Sequence, residues 1–404
     1  MSKRILVIEA GFAGMWSALA AARLLDQAGR TDVEIALIAP LPELHMRPRL
    51  YEHNPEAMKV PLLDIFRVTG VRFIQGTVET IDVTRQEVGY IGVGADTACH
   101  AIGYDRLVLA AGSRLHRPPI PGLSDHTFNV DQIHEAVRLN AHLRSLKDRP
   151  DSARRNTVVV AGAGFTGIET ATEMPARLRE VLGADADVKV VMVERNDEVG
   201  PDLGPGPRPV ITQALGELGV VCKLGSGVAA VDAEGVRLES GERIEADTVI
   251  WTAGMRASAL TAQVPGERDD LGRLHVDRNL AVKGVDYVFA TGDCAYAATD
   301  DEGNHATMSC QHAMNLGRAS GHNAAADMIG AGHWTYSQPE YVTCLDLGPW
   351  GAVYTEGWER EVKLTSAIGK AKKMLINTDW IYPPKELDRS AIFAASDPAR
   401  IVVA

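Results

Sequence analysis

The chain has no C-x-x-C pair, no long apolar run and no excess of positive charge. Its five cysteines are scattered, which excludes a closely spaced dithiol and is typical of buried thiols in a reducing compartment. No apolar run approaches the roughly 18 residues that a membrane-spanning helix needs. The formal net charge of -12 argues against nucleic acid binding, which needs a basic surface. These absences predict a cytoplasmic protein that does not associate with membranes.

An internal repeat dominates the first half of the chain. The segment "RILVIEAGFAGMWSALAAARLL", from Arg4, is matched by "NTVVVAGAGFTGIETATEMPARL", from Asn156. Each copy reads as an apolar strand, a glycine turn and an amphipathic helix, and each leads to a second strand, which ends near Pro40 or Arg195. The repeat therefore predicts an α/β fold with two Rossmann-like dinucleotide-binding domains.

Later segments complete this organisation. "YDRLVLAAGSRLHRPPIPG" predicts a buried strand and a stiff proline-rich linker, "ADTVIWTAGMRAS" is a near copy of it, and "DYVFATGDCAYA" is a further strand that ends in a carboxylate. From Tyr336 onward, alternation predicts antiparallel strands and "SAIGKAKKMLINTDWIYPP" predicts a helix. We expect the lysines of this helix on a solvated face and its tryptophan in the core. The chain therefore ends in a small α+β unit.

The second glycine turn has the full G-x-G-x-x-G spacing, with Gly162, Gly164 and Gly167 between a strand and a helix. Such a turn lets a pyrophosphate approach the positive end of the helix. Glu194 ends the next strand, where a carboxylate holds the ribose hydroxyls and repels a 2′-phosphate. Arg195 beside it is able to accept that phosphate. The pattern favours NADH and leaves NADPH open.

The first glycine turn departs from this pattern at two positions. Glu9 replaces the leading glycine, and Ala39 stands where the second strand normally offers an acid, whereas Gly11 and Gly14 remain. Three interpretations stay open: other segments hold most of the nucleotide, Glu9 itself reaches the ribose, or the site no longer binds. We expect Glu9 to lower the affinity for a dinucleotide without abolishing binding.

Jointly these motifs resemble the two-dinucleotide flavoprotein family, and within it the type II NADH dehydrogenases. The resemblance rests on the two glycine turns, "HMRPRLYE", "YDRLVLAAGS", "VIWTAGMRAS", "VFATGDCA" and "SCQHAMNLGR", in the family's order. It implies FAD on the first unit, NADH on the second and electron transfer to a further acceptor. The implied domains are 1–118 with 271–332 for FAD, 119–270 for NAD(P)H, and a C-terminal dimerisation unit, 333–404, that suggests a homodimer.

The resemblance also implies cofactor-binding residues. Those expected to hold FAD are Glu9, Gly11, Phe12, Ala13, Gly14, Arg47, Pro48, Ala111, Gly112, Gly292, Asp293, Gln311, His312 and Ala313. Those expected to hold the nicotinamide nucleotide are Gly162, Gly164, Phe165, Gly167, Glu194, Arg195 and Gly254. Gln311 to Ala313 would begin a helix whose positive end faces the flavin.

Three side chains are predicted to be catalytic, namely Glu169, Gln311 and His312. Glu169 matches an acid that the family keeps near the nicotinamide and the flavin, where it would orient the carboxamide or relay a proton. His45 and Tyr51 join His312 as candidates for the acceptor pocket. The spacing of histidine and acidic residues indicates no metal site.

Departures from the family concern the acceptor. Asn315 and Leu316 replace part of a quinone-side glutamine pair, and no anchoring helix is evident after Tyr336, so a relative with a changed acceptor is expected. The leading hypothesis is an FAD-dependent NAD(P)H oxidoreductase with a small quinone-like, aromatic or protein acceptor. One alternative is a sulfide:quinone-type flavoprotein that uses Cys310 and Cys344. Another is a non-catalytic sensor that binds NADH and has lost FAD.

Overall fold

The structure, a computed structural model, describes residues 3–94 and 97–403. Its helices are α1 Phe12–Gln27, α2 Leu63–Thr69, α3 Leu123–His126, α4 Ile133–Ser145, α5 Phe165–Leu182, α6 Arg208–Glu217, α7 Cys310–Ile329, α8 Ser366–Leu375 and α9 Arg389–Ala395. The strands up to the second glycine turn are β1 Lys3–Ile8, β2 Val33–Ala39, β3 Glu43–His45, β4 Lys59–Pro61, β5 Arg72–Asp82, β6 Glu87–Gly92, β7 Cys99–Gly103, β8 Arg106–Leu109, β9 Ser113–Leu115 and β10 Thr157–Ala161. The later strands are β11 Lys189–Val193, β12 Val220–Lys223, β13 Val228–Asp232, β14 Gly235–Leu238, β15 Arg243–Glu245, β16 Thr248–Trp251, β17 Met255–Ala257, β18 Leu274–His275, β19 Val288–Ala290, β20 Ala295–Tyr296, β21 Val342–Asp346, β22 Ala352–Glu356 and β23 Glu361–Leu364.

The first glycine turn belongs to a seven-stranded sheet in the order β19-β8-β1-β2-β5-β6-β7. The strands from β19 to β5 run parallel, and β6 and β7 extend the edge antiparallel. Apolar runs explain the parallel part, since all of Ile5, Leu6, Val7 and Ile8 are buried, as strands covered on both faces require. Because β19 returns to this sheet late in the chain, the pairing supports the predicted discontinuous first domain, whose bounds stay a prediction.

The second glycine turn belongs to a parallel sheet in the order β12-β11-β10-β16. Antiparallel pairing of β17 with β9 ties this part of the chain to the segment that follows the first sheet. Parallel strands with a crossover helix bring their carboxyl ends to one crevice, which is where such sheets bind ligands. The two glycine turns thus stand at the corresponding ends of their own sheets.

The C-terminal unit consists of an antiparallel sheet, β21-β22-β23, with α8 packed against it. The helix continues through a π-helical turn, Ile376–Trp380, before Pro383 and Pro384. The expected strands and helix are therefore present. The expected solvated face is wrong for one lysine, because Lys373 is buried with a relative exposure of 5%.

Helices α1 and α7 touch backbone to backbone. A Cβ on Gly317 would lie 2.5 Å from the carbonyl oxygen of Ala13, and one on Gly321 would lie 1.9 Å from that of Ser17. The Ser17 hydroxyl also donates to the carbonyl of Gly317 at 3.1 Å. The two helix starts that face the central cleft are consequently held at a fixed separation.

Within the described ranges, none of the helices combines the length and apolar character needed to cross a membrane.

Candidate functional site

One cleft of about 1400 Å³ runs between the two glycine turns and the C-terminal unit. Pockets for a single small ligand usually have about 300–1,000 Å³, so this volume has room for more than one ligand. The predicted residues that line it are Glu9, Gly11, Phe12, Ala13, His45, Arg47, Pro48, Ala111, Gly112, Gly162, Gly164, Phe165, Glu169, Glu194, Arg195, Gly254, Gly292, Asp293, Cys310, Gln311, Ala313 and Cys344. The structure therefore brings most of the sequence candidates together.

The glycines of the second turn have separate roles. A Cβ on Gly164 would meet no atom within 4 Å, so the backbone there is open to a phosphate, and α5 begins with no side-chain cap on its N–H groups. A Cβ on Gly167 would lie 1.9 Å from the carbonyl oxygen of Gly162, which requires glycine for close packing of helix on strand. Gly162 has φ 108°, a left-handed conformation. This turn fits a dinucleotide.

The first turn has the same geometry with a glutamate in it. Glu9 N donates to Ile38 O at 2.7 Å, as Gly162 N donates to Val193 O at 2.8 Å, so Glu9 is the counterpart of Gly162. Glu9 has φ 77°, a strained conformation for a residue other than glycine. A Cβ on Gly11 would meet nothing within 4 Å, and α1 also begins without a side-chain cap. The turn thus keeps an open approach for phosphate despite Glu9.

Gly14 corrects one expectation. It was expected to take the pyrophosphate, but a Cβ there would lie 1.8 Å from the carbonyl oxygen of Glu9. Gly14 therefore permits close packing of α1 on β1, as Gly167 does in the second unit, and the pyrophosphate approach is left to Gly11.

The counterpart Gly162 and the charge of Arg114 indicate the surroundings of the Glu9 side chain. A Cβ on its counterpart Gly162 would lie 3.0 Å from Thr252 Oγ1 and 3.1 Å from Ala253, which follow β16. The equivalent position in the first unit follows β8, where Arg114 lowers the pKa of Glu9 against the stronger raising effect of burial. This geometry disfavours the interpretation in which Glu9 replaces the missing acid of β2.

Glu194 is fixed at the end of β11 by the turn that it faces. Its carboxylate accepts from Ala163 N at 2.8 Å and from Asn196 N at 3.0 Å, and the residue is 7% exposed. Arg195 is exposed and also lines the cleft. The buried carboxylate stands where a ribose is expected, which keeps the expectation of NADH, and Arg195 keeps NADPH open.

A charged cluster follows β19 and faces the first turn. The carboxylate of Asp293 accepts from Ser113 Oγ at 2.6 Å and lies 3.7 Å from Arg47 Nη1. Arg47 is also paired with Asp131. Burial raises the pKa of Asp293, and Arg47 opposes that shift. The structure thus joins Asp293 and Arg47, which sequence separates widely, in one wall of the cleft.

Helix α7 begins at the cleft, with Gln311 and Ala313 in its wall. Gln311 donates to Val342 O at 3.0 Å, which orients its amide. His312 is different: it is fully buried, its Nδ1 pairs with the hydroxyls of Thr307 and Ser309, and it does not line the cleft. Burial lowers the pKa of His312 to about 3. The geometry therefore gives no support to His312 as a proton donor to a substrate.

Glu169 forms a buried ion pair that sequence reasoning missed. Lys373 Nζ lies 2.7 Å from Glu169 Oε1, and the two side chains are 6% and 5% exposed. Asp346 N donates to the same oxygen at 3.1 Å, and Lys373 also donates to Cys344 O at 2.9 Å. Burial raises the pKa of Glu169 to about 7, although Lys373 opposes the shift. A carboxyl group with this pKa exchanges a proton at neutral pH.

One further candidate, Tyr51, lies close to this pair. The Tyr51 hydroxyl donates to Asp346 at 2.9 Å, and Lys370 Nζ lies 2.5 Å from the other oxygen of Asp346. Tyr51 is buried and does not line the cleft, whereas His45 does. Tyr51 therefore adjoins the site through Asp346 and through Lys373, whose ammonium group lies 5.9 Å from the centre of the Tyr51 ring.

The cysteines of the cleft are not activated. Cys310 and Cys344 are free, and burial raises the pKa of each to about 11, against the lowering effect of Lys373. A reactive cysteine needs a depressed pKa, because the thiolate is the nucleophile. The raised pKa values of Cys310 and Cys344 therefore argue against the sulfide:quinone-type alternative.

Comparison with known proteins gives consistent matches. Residues 3–317 match the pyridine nucleotide-disulphide oxidoreductase family. The chain is 46% identical over 401 residues to an NADH dehydrogenase-like protein of Mycobacterium tuberculosis, covering 98% of each chain. It is 26% identical over 365 residues to the type II NADH:quinone oxidoreductase of Staphylococcus aureus, covering 86% of this chain and 88% of that one.

Solved structures share the fold. NDH2 from Plasmodium falciparum in complex with NADH gives a TM-score of 0.79 at 13% identity, covering 98% of both chains. The sulfide:quinone oxidoreductase from Aquifex aeolicus gives 0.77 at 16% identity, covering 97% of this chain and 92% of that one.

These matches confirm several predictions from the sequence. The α/β fold is confirmed, as is the resemblance to type II NADH dehydrogenases. The protein is an NAD(P)H oxidoreductase, which sets aside the non-catalytic alternative, and FAD and NADH are the cofactors of the family. The chain belongs to the pyridine nucleotide-disulphide oxidoreductase family.

Proposed function

We propose that this protein oxidises NADH with FAD and passes the electrons to a quinone-type acceptor. The observation that carries the proposal is the buried Glu169–Lys373 pair, which lies in the wall of the cleft. When bound, FAD supplies a two-electron relay between the nicotinamide and the acceptor. Reduction of a quinone also consumes protons, so the chain has to provide a group that exchanges them.

The residues of the cleft would hold the two nucleotides on separate walls. For FAD these are Gly11, the start of α1, Arg47, Gly112, Asp293 and the start of α7. For NADH they are Gly162, Gly164, Glu194, Gly254 and the start of α5. The open backbone at both middle glycines supports this division, because a phosphate can approach the uncapped N–H groups at the starts of α1 and α5 there.

Glu169 would exchange a proton with the acceptor, and Lys373 would stabilise negative charge on it. Glu169, with its pKa raised to about 7 by burial, holds or releases a proton at neutral pH. The proton would be on Oε2, because Oε1 accepts from Lys373 and from Asp346 N. Lys373 is a buried cation, and it stabilises negative charge that develops on a reduced quinone oxygen. The backbone N–H of Asp346 orients the carboxylate. The pair supplies both functions at one place.

The wall beside Lys373 suits an aromatic acceptor. It includes Val342, Ile376 and Ile381, with Asn377 as a polar contact. Asn315 and Leu316, whose identity argued against a quinone, do not line the cleft: Asn315 Nδ2 donates to Gln338 at 2.8 Å, and Leu316 is buried. The departure from the family at those positions is therefore no argument against a quinone.

The names of relatives support the same acceptor class. Two examples are the type II NADH:quinone oxidoreductase of Staphylococcus aureus and the demethylphylloquinone reductase of Synechocystis, which is 29% identical over 300 residues. We further propose a cytoplasmic homodimer that assembles through the C-terminal unit, where Ile368 and Met374 are exposed on α8. Light scattering of the purified protein tests the dimer.

The decisive experiment follows flavin absorbance under anaerobic conditions. Purified protein is expected to contain flavin that NADH bleaches, and a short-chain water-soluble quinone is expected to restore the absorbance. Glu169→Gln should slow the restoration about a hundredfold while bleaching by NADH changes little. Glu180→Gln, on the same helix but exposed and outside the cleft, is the matched control. Protein that bleaches and is not restored by any quinone would overturn the acceptor assignment.

A further inference from the structure

The C-terminal hairpin reaches across to the nucleotide-binding side of the cleft. Its tip joins β22 to β23 through residues 357–360, and Arg360 at the end of the tip lines the cleft. Arg360 Nη1 donates to the carbonyl of Asp202. A Cβ on Gly206 would lie 2.7 Å from the carbonyl oxygen of Arg360, so the tip and the loop that contains Asp202 are in close contact.

Two contacts through one loop connect Arg360 to the second glycine turn. Gly200 N donates to Ala163 O at 3.1 Å, and Ala163 lies between the first two glycines of the turn. The short helical turn Pro201–Leu203 follows Gly200 directly and contains the Asp202 carbonyl that Arg360 contacts. The loop that Arg360 contacts is therefore hydrogen-bonded to the turn where the diphosphate of a dinucleotide is expected to meet the start of α5.

The side chain of Arg360 is prepared for an anion. Its Nε is buried and meets no acceptor among residues 3–94 and 97–403. The guanidinium lies 5.7 Å above the ring of Tyr341, which restricts its direction. The residue has φ 54°, a strained conformation that is typically kept where a side chain has a function. The unpaired Nε shows that the protein satisfies the guanidinium only in part, and Arg360 also lines the cleft.

We propose that Arg360 binds the diphosphate of NADH, so that the C-terminal unit completes the nucleotide site of the second unit. The inference rests on the proposed oxidation of NADH. Arginine suits this role because its permanent positive charge makes its N–H groups strong donors to phosphate oxygens. Since α8 of the same unit carries Lys373, one unit then contacts both the electron donor and the proposed acceptor.

The test measures equilibrium binding to the purified holoenzyme by calorimetry. ADP-ribose is the probe with a diphosphate, and adenosine, measured by displacement of ADP-ribose, is the probe without one. Arg360→Gln should raise the Kd of ADP-ribose at least about tenfold and leave that of adenosine within about twofold. Arg360→Lys, which keeps the charge, should recover part of the loss.

A second variant leaves the guanidinium in place. Gly206→Ala puts a methyl group against the Arg360 carbonyl, so it should displace the tip and weaken ADP-ribose binding selectively. This variant carries the test if Arg360→Gln does not fold. Unchanged ADP-ribose binding in both variants, or equal weakening of both probes, would overturn the assignment. Wild-type protein that binds no ADP-ribose would instead contradict the proposed function.

Discussion

Replacing Lys373 by methionine removes the cation of the buried pair and keeps most of its apolar stem. Breaking a buried ion pair on one side typically costs about 3–5 kcal/mol, because the remaining charge is uncompensated. Glu169 has an alternative to remaining charged, since it can take up a proton. The cost of Lys373→Met is therefore expected to depend on pH.

The direction follows from the pKa of Glu169 in the two states. In the folded wild type the pKa of Glu169 is about 7, raised by burial from its ordinary value of 4.5. The folded protein therefore holds the extra proton, and stability falls as pH rises between these two values. Lys373 lowers the pKa of Glu169, so Lys373→Met raises it further above 7. In the variant, stability then continues to fall above pH 7 by up to about 1.4 kcal/mol per pH unit.

The assay is urea unfolding of wild type and variant from pH 6 to pH 9. The difference in unfolding free energy should grow by up to about 3 kcal/mol between pH 7 and pH 9. The double variant Glu169→Gln/Lys373→Met has no carboxylate at this position, so its difference from wild type in unfolding free energy should not grow between pH 7 and pH 9. A difference that stays constant over this range would refute the argument that Glu169 titrates beside Lys373.

Three further predictions concern the cleft. Glu9→Gly should raise the free energy of unfolding by about 1 kcal/mol, because relief of about 1–3 kcal/mol of backbone strain exceeds the entropic cost of glycine. A fluorescence titration should also find that the variant binds FAD more tightly. Glu194→Ala should lower the preference for NADH over NADPH about tenfold, measured as a ratio of kcat/KM values, since Arg195 would then face a 2′-phosphate without an opposing carboxylate. Cys310→Ser and Cys344→Ser should each reduce quinone at a rate within about twofold of wild type, because neither thiol is activated. A large loss of rate in either variant would instead favour the sulfide:quinone-type alternative.

The fold was accessible from the sequence because it depends on local patterns that repeat. The two copies of strand, glycine turn and helix predict both parallel sheets, and alternation predicts the antiparallel strands β21 to β23. The return of β19 to the first sheet also follows from the family's order of motifs. These features depend on short segments, which a single sequence displays directly.

The buried lysine was not accessible in the same way. In "SAIGKAKKML" three lysines look alike, yet only Lys373 falls on the buried stripe with Gly369 and Ile376, at helical spacing. Its partner Glu169 is far away along the chain, and Asp346 joins them only through the fold. A pair of this kind needs three-dimensional contacts, which the sequence alone does not contain.

The expectation that His312 faces the cleft is wrong for a similar reason, since the sequence does not give the direction of a side chain. The sequence places it at the start of α7, beside Gln311 and Ala313, and the helix start does face the cleft. Successive helical residues point in different directions, so two of the three reach the cleft while His312 packs on Tyr341. Membership of a motif does not decide the direction of each side chain in it.

The backbone contact between α1 and α7 constrains how this protein can change. Because a methyl group at Gly317 or Gly321 would overlap the carbonyl of Ala13 or Ser17, neither helix can acquire bulk on this face without a shift of the other. Ala13, Ser17, Gly317 and Gly321 should therefore vary together among relatives as one set. Divergence of the acceptor is then expected to proceed through the C-terminal unit, whose side chains are free of this constraint, while the spacing of the two helix starts persists.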